Sequence, residues 1–179
     1  MHSPENPVCV YGHFNRDRGF GVESSYPNVR QFVTILRDPF EQVVSAYYWR
    51  RRPDVPKRRP VPEISLREHV SQTQSEMLLH FPREMTRDNY RDLIEEFFIE
   101  IGLLEDLPTS LQRIAAALGK PTIKDTGQRL NATPRDAQYE GADDLREAFI
   151  TRHALEYEVY DYVRARFAAA ADPQDRSTT

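Results

Sequence analysis

The sequence predicts an α/β domain with a mostly parallel sheet flanked by helices, and three observations lead to that prediction. The segment "QFVTIL" (31–36) is continuously apolar, as is typical of a central parallel strand covered on both faces. A second apolar segment, "FFIEIGLL" (97–104), predicts another buried strand. Helical patterns follow each of them, and strands that alternate with amphipathic helices indicate a parallel sheet.

The strand at 31–36 leads directly into a well-marked helix. Arg37 ends the strand, and Asp38 is a good N-cap residue. Pro39 suits the first helical position, and Glu41 is placed to complete a capping box. The apolar face of this helix is predicted to consist of Phe40, Val43, Val44, Tyr47 and Tyr48.

Other segments complete the predicted domain. A strand is expected over 8–11, an irregular loop over 16–28, and helices over 65–81, 86–96, 107–119 and 144–167. Ser65 and Glu68 form a second capping-box pattern, and Asp106 is expected to cap the helix that follows it. Two buried helix faces are predicted: Leu107, Leu111, Ile114 and Leu118 on one helix, and Leu145, Phe149, Tyr160, Val163 and Phe167 on the last.

Length and composition define the class of protein. The 179 residues suffice for one domain, predicted over 1–167, with a frayed tail over 168–179. The chain is 39% hydrophobic and 29% charged, and no apolar run approaches the ~20 residues that cross a bilayer. The start of the chain has no secretory pattern, and Cys9 is a single cysteine, so we expect a cytoplasmic protein without a membrane partner.

Charge and ligand spacing argue against two kinds of function. The net charge of −4 argues against a general nucleic-acid binder, and the scattered histidines predict no metal site. One local exception is "RRRPDVPKRR" (50–59), which holds six basic residues and one acid. This run is either a solvated loop or a docking patch for a polyanion.

Arg37 and Ser45 are the candidate anion ligands. A guanidinium group at the carboxyl end of a parallel strand is suited to a phosphate or a carboxylate. Ser45 lies about 10 Å further along the helix axis and could donate to the same anion. The alternative is that Arg37 pairs with Asp38 or Glu41 and that Ser45 is a small residue at a packing edge.

The segment "TILRDPFEQVVSAYYW" (34–49) resembles the 3′-phosphate-binding segment of sulfotransferases that use PAPS, 3′-phosphoadenosine-5′-phosphosulfate. In that family a strand ends in an arginine, a helix start follows, and a serine lies eight residues after the arginine. The resemblance implies that PAPS is the co-substrate and that Arg37 and Ser45 hold its 3′-phosphate.

Further segments are similar to carbohydrate sulfotransferases of the uronyl and heparan sulfate 2-O type. They are "YGHFNRDRGFGV" (11–22), "SQTQSEMLLHF" (71–81), the segment 90–119 and "HALEYEVYDYVRARF" (153–167). The resemblance implies a P-loop-NTPase-like sulfotransferase fold and transfer of a sulfuryl group to a hydroxyl, with a carbohydrate as acceptor. It also implies that His13 is the general base, whereas the plain alternative is a histidine that donates to a backbone carbonyl. His69, His80 and His153 are interpreted as structural.

The family pattern is incomplete in this sequence. No Gly-rich loop followed by a lysine precedes Arg37, so the fold is expected to be N-terminally incomplete and catalysis by this chain alone stays open. A missing first strand would leave a sheet edge that favours pairing between copies of the chain. In the late loop at 124–135, Arg129, Asn131 and Thr133 are candidates for further nucleotide contacts.

A different class of function remains for the same fold. The chain would then be a non-catalytic module that binds an acidic glycan or another polyanion through the basic run at 50–59.

Overall fold

A parallel pair of strands carries the junction that the sequence singles out. The computed structural model describes residues 10–54, 61, 63–121 and 143–169. Strand β1 (Phe32–Leu36) pairs with β2 (Phe98–Leu103), and Thr34 lies opposite Ile101. Both strands form where the apolar runs predict them, and helices pack around them, so the α/β class is confirmed.

The helices of the described residues have the following bounds: α1 (Val22–Ser25), α2 (Pro39–Arg51), α3 (Leu66–Gln72), α4 (Tyr90–Phe97), α5 (Leu107–Ala117), α6 (Asp143–Arg152) and α7 (Ala154–Ala169). Short 3-10 turns lie at Arg16–Arg18, Met77–His80 and Leu104–Asp106. Helix α7 extends past the predicted end of the domain at 167, and the rest of the predicted tail lies outside the described residues.

The helix starts follow the predicted caps. Asp38 accepts a hydrogen bond from the backbone N–H of Glu41 at 3.1 Å, and Pro39 begins α2. Ser65 forms a complete capping box before α3. Asp106 accepts from the N–H of Thr109 at 3.3 Å and caps α5. Each cap satisfies a backbone donor that has no partner inside its helix.

Several predicted elements are shorter or divided. Val10 and Tyr11 are exposed and are not part of a strand, which contradicts that half of the prediction for 8–11; residues 8 and 9 lie outside the described part. The predicted loop at 16–28 contains a 3-10 turn and α1. The predicted helix at 65–81 ends at Gln72, because the polar stretch after it has no apolar residues at helical spacing.

The last predicted helix is divided as well. A turn at His153 separates α6 from α7. The predicted core positions of this segment are nevertheless buried, namely Leu145, Phe149, Tyr160, Val163 and Phe167. The division places Phe149 and Tyr160 in different parts of the core.

Most buried apolar side chains of the described residues form two clusters, and α7 contributes to both. The first cluster lies between one face of the sheet, α4 and α7, and it includes Leu36, Ile94, Ile101, Tyr160 and Val163. The second lies between α2, α3 and α6, and it includes Phe40, Val44, Val70, Phe149 and Tyr157. Because Tyr157 and Tyr160 are less than one helical turn apart, α7 joins the two clusters.

The predicted buried face of α5 is partly wrong. Leu107 and Leu118 are 36% and 41% exposed, while Ser110 and Ala115 are buried. Helix α5 approaches β2 closely at Gly102, and in the part of the chain that the structure describes no third strand lies beside this pair. The exposed leucines are the first residue of α5 and the residue directly after its last, Ala117.

Strand β1 is less covered than a central strand. Four of its five residues are only partly buried, and it is hydrogen-bonded to β2 along one edge. Within the described ranges no strand pairs with its other edge. Pairing of two copies at this edge stays a prediction.

Replacement of Gly102 by alanine should destabilise the protein. A Cβ atom at this position would lie 2.5 Å from the Cβ atom of Ser110. Ser110 cannot turn away, because its hydroxyl accepts from the N–H of Leu103 at 2.7 Å and donates to the Leu103 carbonyl at 2.8 Å. Overpacking of this kind costs about 1–3 kcal/mol of unfolding free energy.

Urea denaturation followed by circular dichroism measures this loss. The control is Gly12→Ala, since a Cβ atom there meets only the ring of Phe14 at 3.3 Å. Equal stabilities of the two variants would show that the approach of α5 to β2 is not tight.

Candidate functional site

The junction between β1 and α2 is a buried polar cluster centred on Asp38. The residue is only 8% exposed, although it lies at the end of a strand. Its Oδ1 atom accepts from the N–H of Glu41 and from the hydroxyl of Tyr157, the latter at 3.2 Å. Its Oδ2 atom forms an ion pair with Arg146 of α6. The carboxylate therefore has partners from three helices.

Tyr157 connects α7 to the backbone of the junction. Its hydroxyl donates to Asp38 and accepts from the N–H of Phe40 at 3.3 Å. Burial and the charge of Asp38 raise the pKa of Tyr157, so its hydroxyl keeps its proton at neutral pH. The hydroxyl of Tyr157 uses this proton in its hydrogen bond to Asp38.

Glu105 replaces one half of the predicted capping box of α2. Its Oε1 atom accepts from the N–H of Asp38 at 2.9 Å, the donor that Glu41 was expected to bind. Burial and a hydrogen bond to Glu105 raise the pKa of Tyr160. The turn after β2 and helix α7 thus hold the N-cap residue in place.

Arg146 offsets the acidic charge of the cluster. One of its terminal nitrogens binds Asp38, and the other lies 3.5 Å from Oε1 of Glu41. The guanidinium carbon is 5.2 Å from the ring centroid of Phe40. Burial works against its charge, but Asp38, Tyr157 and Glu41 together outweigh burial, and the pKa of Arg146 is raised. It stays a cation.

Arg37 occupies the place that the sequence predicts for it, directly after the last residue of β1. Its side chain is 26% exposed, and its terminal nitrogen is 3.8 Å from Oε2 of Glu41. Ser45 is partly buried one helical turn beyond Glu41 on the same side of α2. No hydrogen bond or ion pair in the described part of the chain joins Arg37 to Ser45.

The structure does not connect the other predicted site residues to Arg37. His13 is exposed in a segment without regular structure, and its ring lies edge-on to Tyr11 at 6.1 Å between centroids. Among the described residues no hydrogen bond or ion pair links His13 to Arg37. Three further candidates, Arg129, Asn131 and Thr133, lie outside the described residues.

The remaining described histidines contact backbone or side-chain groups of the protein itself. The Nδ1 atom of His80 contacts the carbonyl of Phe14. The ring of His69 lies against Tyr47 at 5.2 Å. Burial, followed by the charges of Arg50 and Arg51, lowers the pKa of His69.

His153 is a buried histidine at the turn between α6 and α7. Its ring stacks on Phe149 at 4.3 Å between centroids, and its Nδ1 atom is 3.6 Å from Oε1 of Glu156. Arg152 donates to its Nε2 atom at 3.3 Å. Burial lowers the pKa of His153. The positive charge of Arg152 lowers it further, and the carboxylate of Glu156 acts in the opposite direction. The contacts fit a neutral imidazole.

The start of the basic run is described, and two of its arginines have partners in the protein itself. The guanidinium of Arg51 lies 3.5 Å from the ring centroid of Tyr47 and donates to the carbonyl of Ile64. Arg52 binds Asp54 through two nitrogens. Part of the positive charge of the basic run is therefore already in contact with groups of the protein, without any polyanion.

Comparison with protein-family models, curated proteins and solved structures found no match to this chain. Among the described residues no group of three or more His, Cys, Asp or Glu side chains could hold a metal ion. In the same residues no helix has both the length and the apolar character needed to cross a membrane.

Sequence reasoning missed three members of the junction: Glu105, Arg146 and Tyr157. No local pattern identifies them, because Arg146 and Tyr157 lie 108 and 119 residues from Asp38 along the chain. The one indication would be that Asp38 lies between apolar segments. A carboxylate buried there requires a cation or several hydrogen-bond donors from elsewhere in the chain.

Replacement of Asp38 by alanine should strongly destabilise the protein. The change removes the cap of α2 and leaves Arg146 and the hydroxyl of Tyr157 without their acceptor. Because Arg146 is 36% exposed, we expect the broken ion pair to cost less than the roughly 3–5 kcal/mol of a fully buried pair, with the lost helix cap adding about 1 kcal/mol. Urea denaturation gives the value.

Asp144→Ala is the matched control, since Asp144 pairs with Arg67 on the surface with both side chains more than half exposed. We expect it to cost less than about 1 kcal/mol. A small loss in Asp38→Ala would mean that the junction does not depend on this carboxylate.

Stability should decrease in mild acid because of His153 and His69. Their pKa values are lowered in the folded protein, so the unfolded chain binds more protons as the pH falls below about 6.5. The stabilisation is complete above that pH and is lost as the pH falls through the folded pKa. Each histidine contributes up to about 1.4 kcal/mol per pH unit.

Urea denaturation of the wild type and of His153→Gln at pH 7.5, 6.5 and 5.5 measures this dependence. The variant should lose less stability between pH 6.5 and 5.5 than the wild type does. Identical losses would show that His153 is not responsible.

Proposed function

We propose that this chain is a PAPS-dependent sulfotransferase-type domain of P-loop-NTPase-like fold, in which the β1–α2 junction binds the 3′-phosphate of the nucleotide. The observation that carries the proposal is the position of Arg37. It follows the last residue of a parallel strand and directly precedes a capped helix. Open α/β sheets bind their ligands at this end of the strands.

The charge around Arg37 supports an anion ligand. Its contact with Glu41 is 3.8 Å long, whereas strong charge-assisted hydrogen bonds have lengths of about 2.7–2.9 Å. This ion pair therefore uses little of the donor capacity of the guanidinium group. A phosphate could take up two of its donors, and the hydroxyl of Ser45 would add a third bond to the same group.

The reaction in this proposal is the transfer of a sulfuryl group to a hydroxyl, with a carbohydrate as the acceptor. The acceptor oxygen forms a bond to sulfur while the bond from sulfur to the phosphate oxygen breaks. The proton of the hydroxyl passes to a base, and His13 is proposed for this role because its exposed imidazole is open to an acceptor. Adenosine 3′,5′-bisphosphate leaves as the second product.

The proposal predicts selective binding of adenosine 3′,5′-bisphosphate over adenosine 5′-monophosphate, measured by calorimetric titration. Arg37→Ala should weaken this binding about 10- to 100-fold, because a charge-assisted hydrogen bond contributes about 1.5–3 kcal/mol. Arg87→Ala is the control, since this arginine is 66% exposed and pairs with Glu158.

Two results would contradict the proposal. Equal binding of the two nucleotides would mean that the 3′-phosphate has no site. Binding of an acidic glycan that survives Arg37→Ala, but is lost when the arginines of the run at 50–59 are neutralised, would favour the non-catalytic module instead.

A further inference from the structure

The carboxylate of Glu41 lies between two guanidinium groups. Its Oε2 atom is 3.8 Å from a terminal nitrogen of Arg37, and its Oε1 atom is 3.5 Å from a terminal nitrogen of Arg146. The side chain is 21% exposed. One carboxylate is thus shared by a cation of the strand end and a cation of α6.

The two cations differ in how firmly they are held. Arg146 also binds the buried carboxylate of Asp38, and its guanidinium lies over Phe40. Among the described residues, the ion pair of Arg37 is the one with Glu41. The carboxylate of Glu41 could therefore leave Arg37 while its contact with Arg146 remains.

The position of Glu41 matters because it separates the two proposed phosphate ligands. Glu41 and Ser45 are four residues apart in α2 and lie on one side of the helix. Arg37 precedes the helix, and its 3.8 Å contact with Glu41 brings its guanidinium group to the same side. A phosphate that contacts both Arg37 and Ser45 would approach the carboxylate of Glu41. Two anions a few ångströms apart repel each other in a partly buried site.

We propose that Glu41 is an internal competitor for the anion at Arg37, and that ligand binding moves its carboxylate away from Arg37 and towards Arg146. This inference rests on the proposed function and adds to it a rule of selection. An incoming group must displace a carboxylate that is already in contact with Arg37. A dianionic phosphate monoester can do so more readily than a carboxylate or a singly charged sulfate ester, because its attraction to the arginine is larger.

The test is calorimetric titration of the wild type and of Glu41→Gln with adenosine 3′,5′-bisphosphate and with inorganic phosphate. Removal of the competing charge should tighten the binding of both ligands by about tenfold or more. Glu147→Gln is the matched control, because Glu147 is exposed on α6 and its replacement changes the net charge equally. This control should change the affinity less than about threefold.

A double variant keeps the test independent of folding effects. In Arg37→Ala/Glu41→Gln the gain in affinity should disappear, because the positive charge of Arg37, for which Glu41 competes with the ligand, is absent. Thermal unfolding of each variant identifies a change in stability, and Glu41→Ala provides a second removal of the carboxylate. A gain that persists without Arg37 would overturn the inference.

The outcomes separate the inference from the proposed function. If the wild type binds adenosine 3′,5′-bisphosphate and Glu41→Gln binds it equally, the competitor role is wrong and the proposed function stands. If only Glu41→Gln binds it, both are supported. If neither binds it, both are wrong. An equal gain in Glu147→Gln would show an effect of net charge and would overturn the competitor role.

Discussion

The carboxylate of Asp38 is the group on which the arrangement of the other elements depends. It is buried at the end of β1, where an uncompensated charge would cost several kcal/mol. Donors from α2, α6 and α7 compensate it together. The three helices can bury this end of the strand only when all of them are in place, so the polar cluster fixes their relative positions.

Helix α7 transmits this constraint to the rest of the core. Tyr157 and Tyr160 belong to different apolar clusters, yet both hydroxyls face acidic groups of the junction. Burial and these carboxylates keep both phenols protonated. A displacement of α7 would therefore disturb the apolar packing on both sides and the polar junction at the same time.

The same cluster determines the charge at the strand end. Arg146 and Tyr157 bind the carboxylate of Asp38 by an ion pair and a hydrogen bond. Arg146 also contacts the carboxylate of Glu41, which Arg37 contacts as well. Asp38 is thus held by other partners, and in the part of the chain that the structure describes Arg37 keeps one long ion pair, with the shared Glu41. A junction that stabilises the fold in this way also presents a cation at the edge where α/β proteins bind ligands.

The sequence by itself determined the local structure. The N-cap at Asp38, the capping box of Ser65 and the strands at β1 and β2 depend on residues within a few positions of each other, and all of them formed as predicted. The position of Arg37 follows from the same local rules. Only the tertiary structure decided that Glu105 would bind the backbone of Asp38, that Arg146 would share Glu41, and that α5 would leave its apolar ends exposed. The physical reason is sequence distance: these contacts join residues far apart in the chain, and no local periodicity records which buried charge meets which donor.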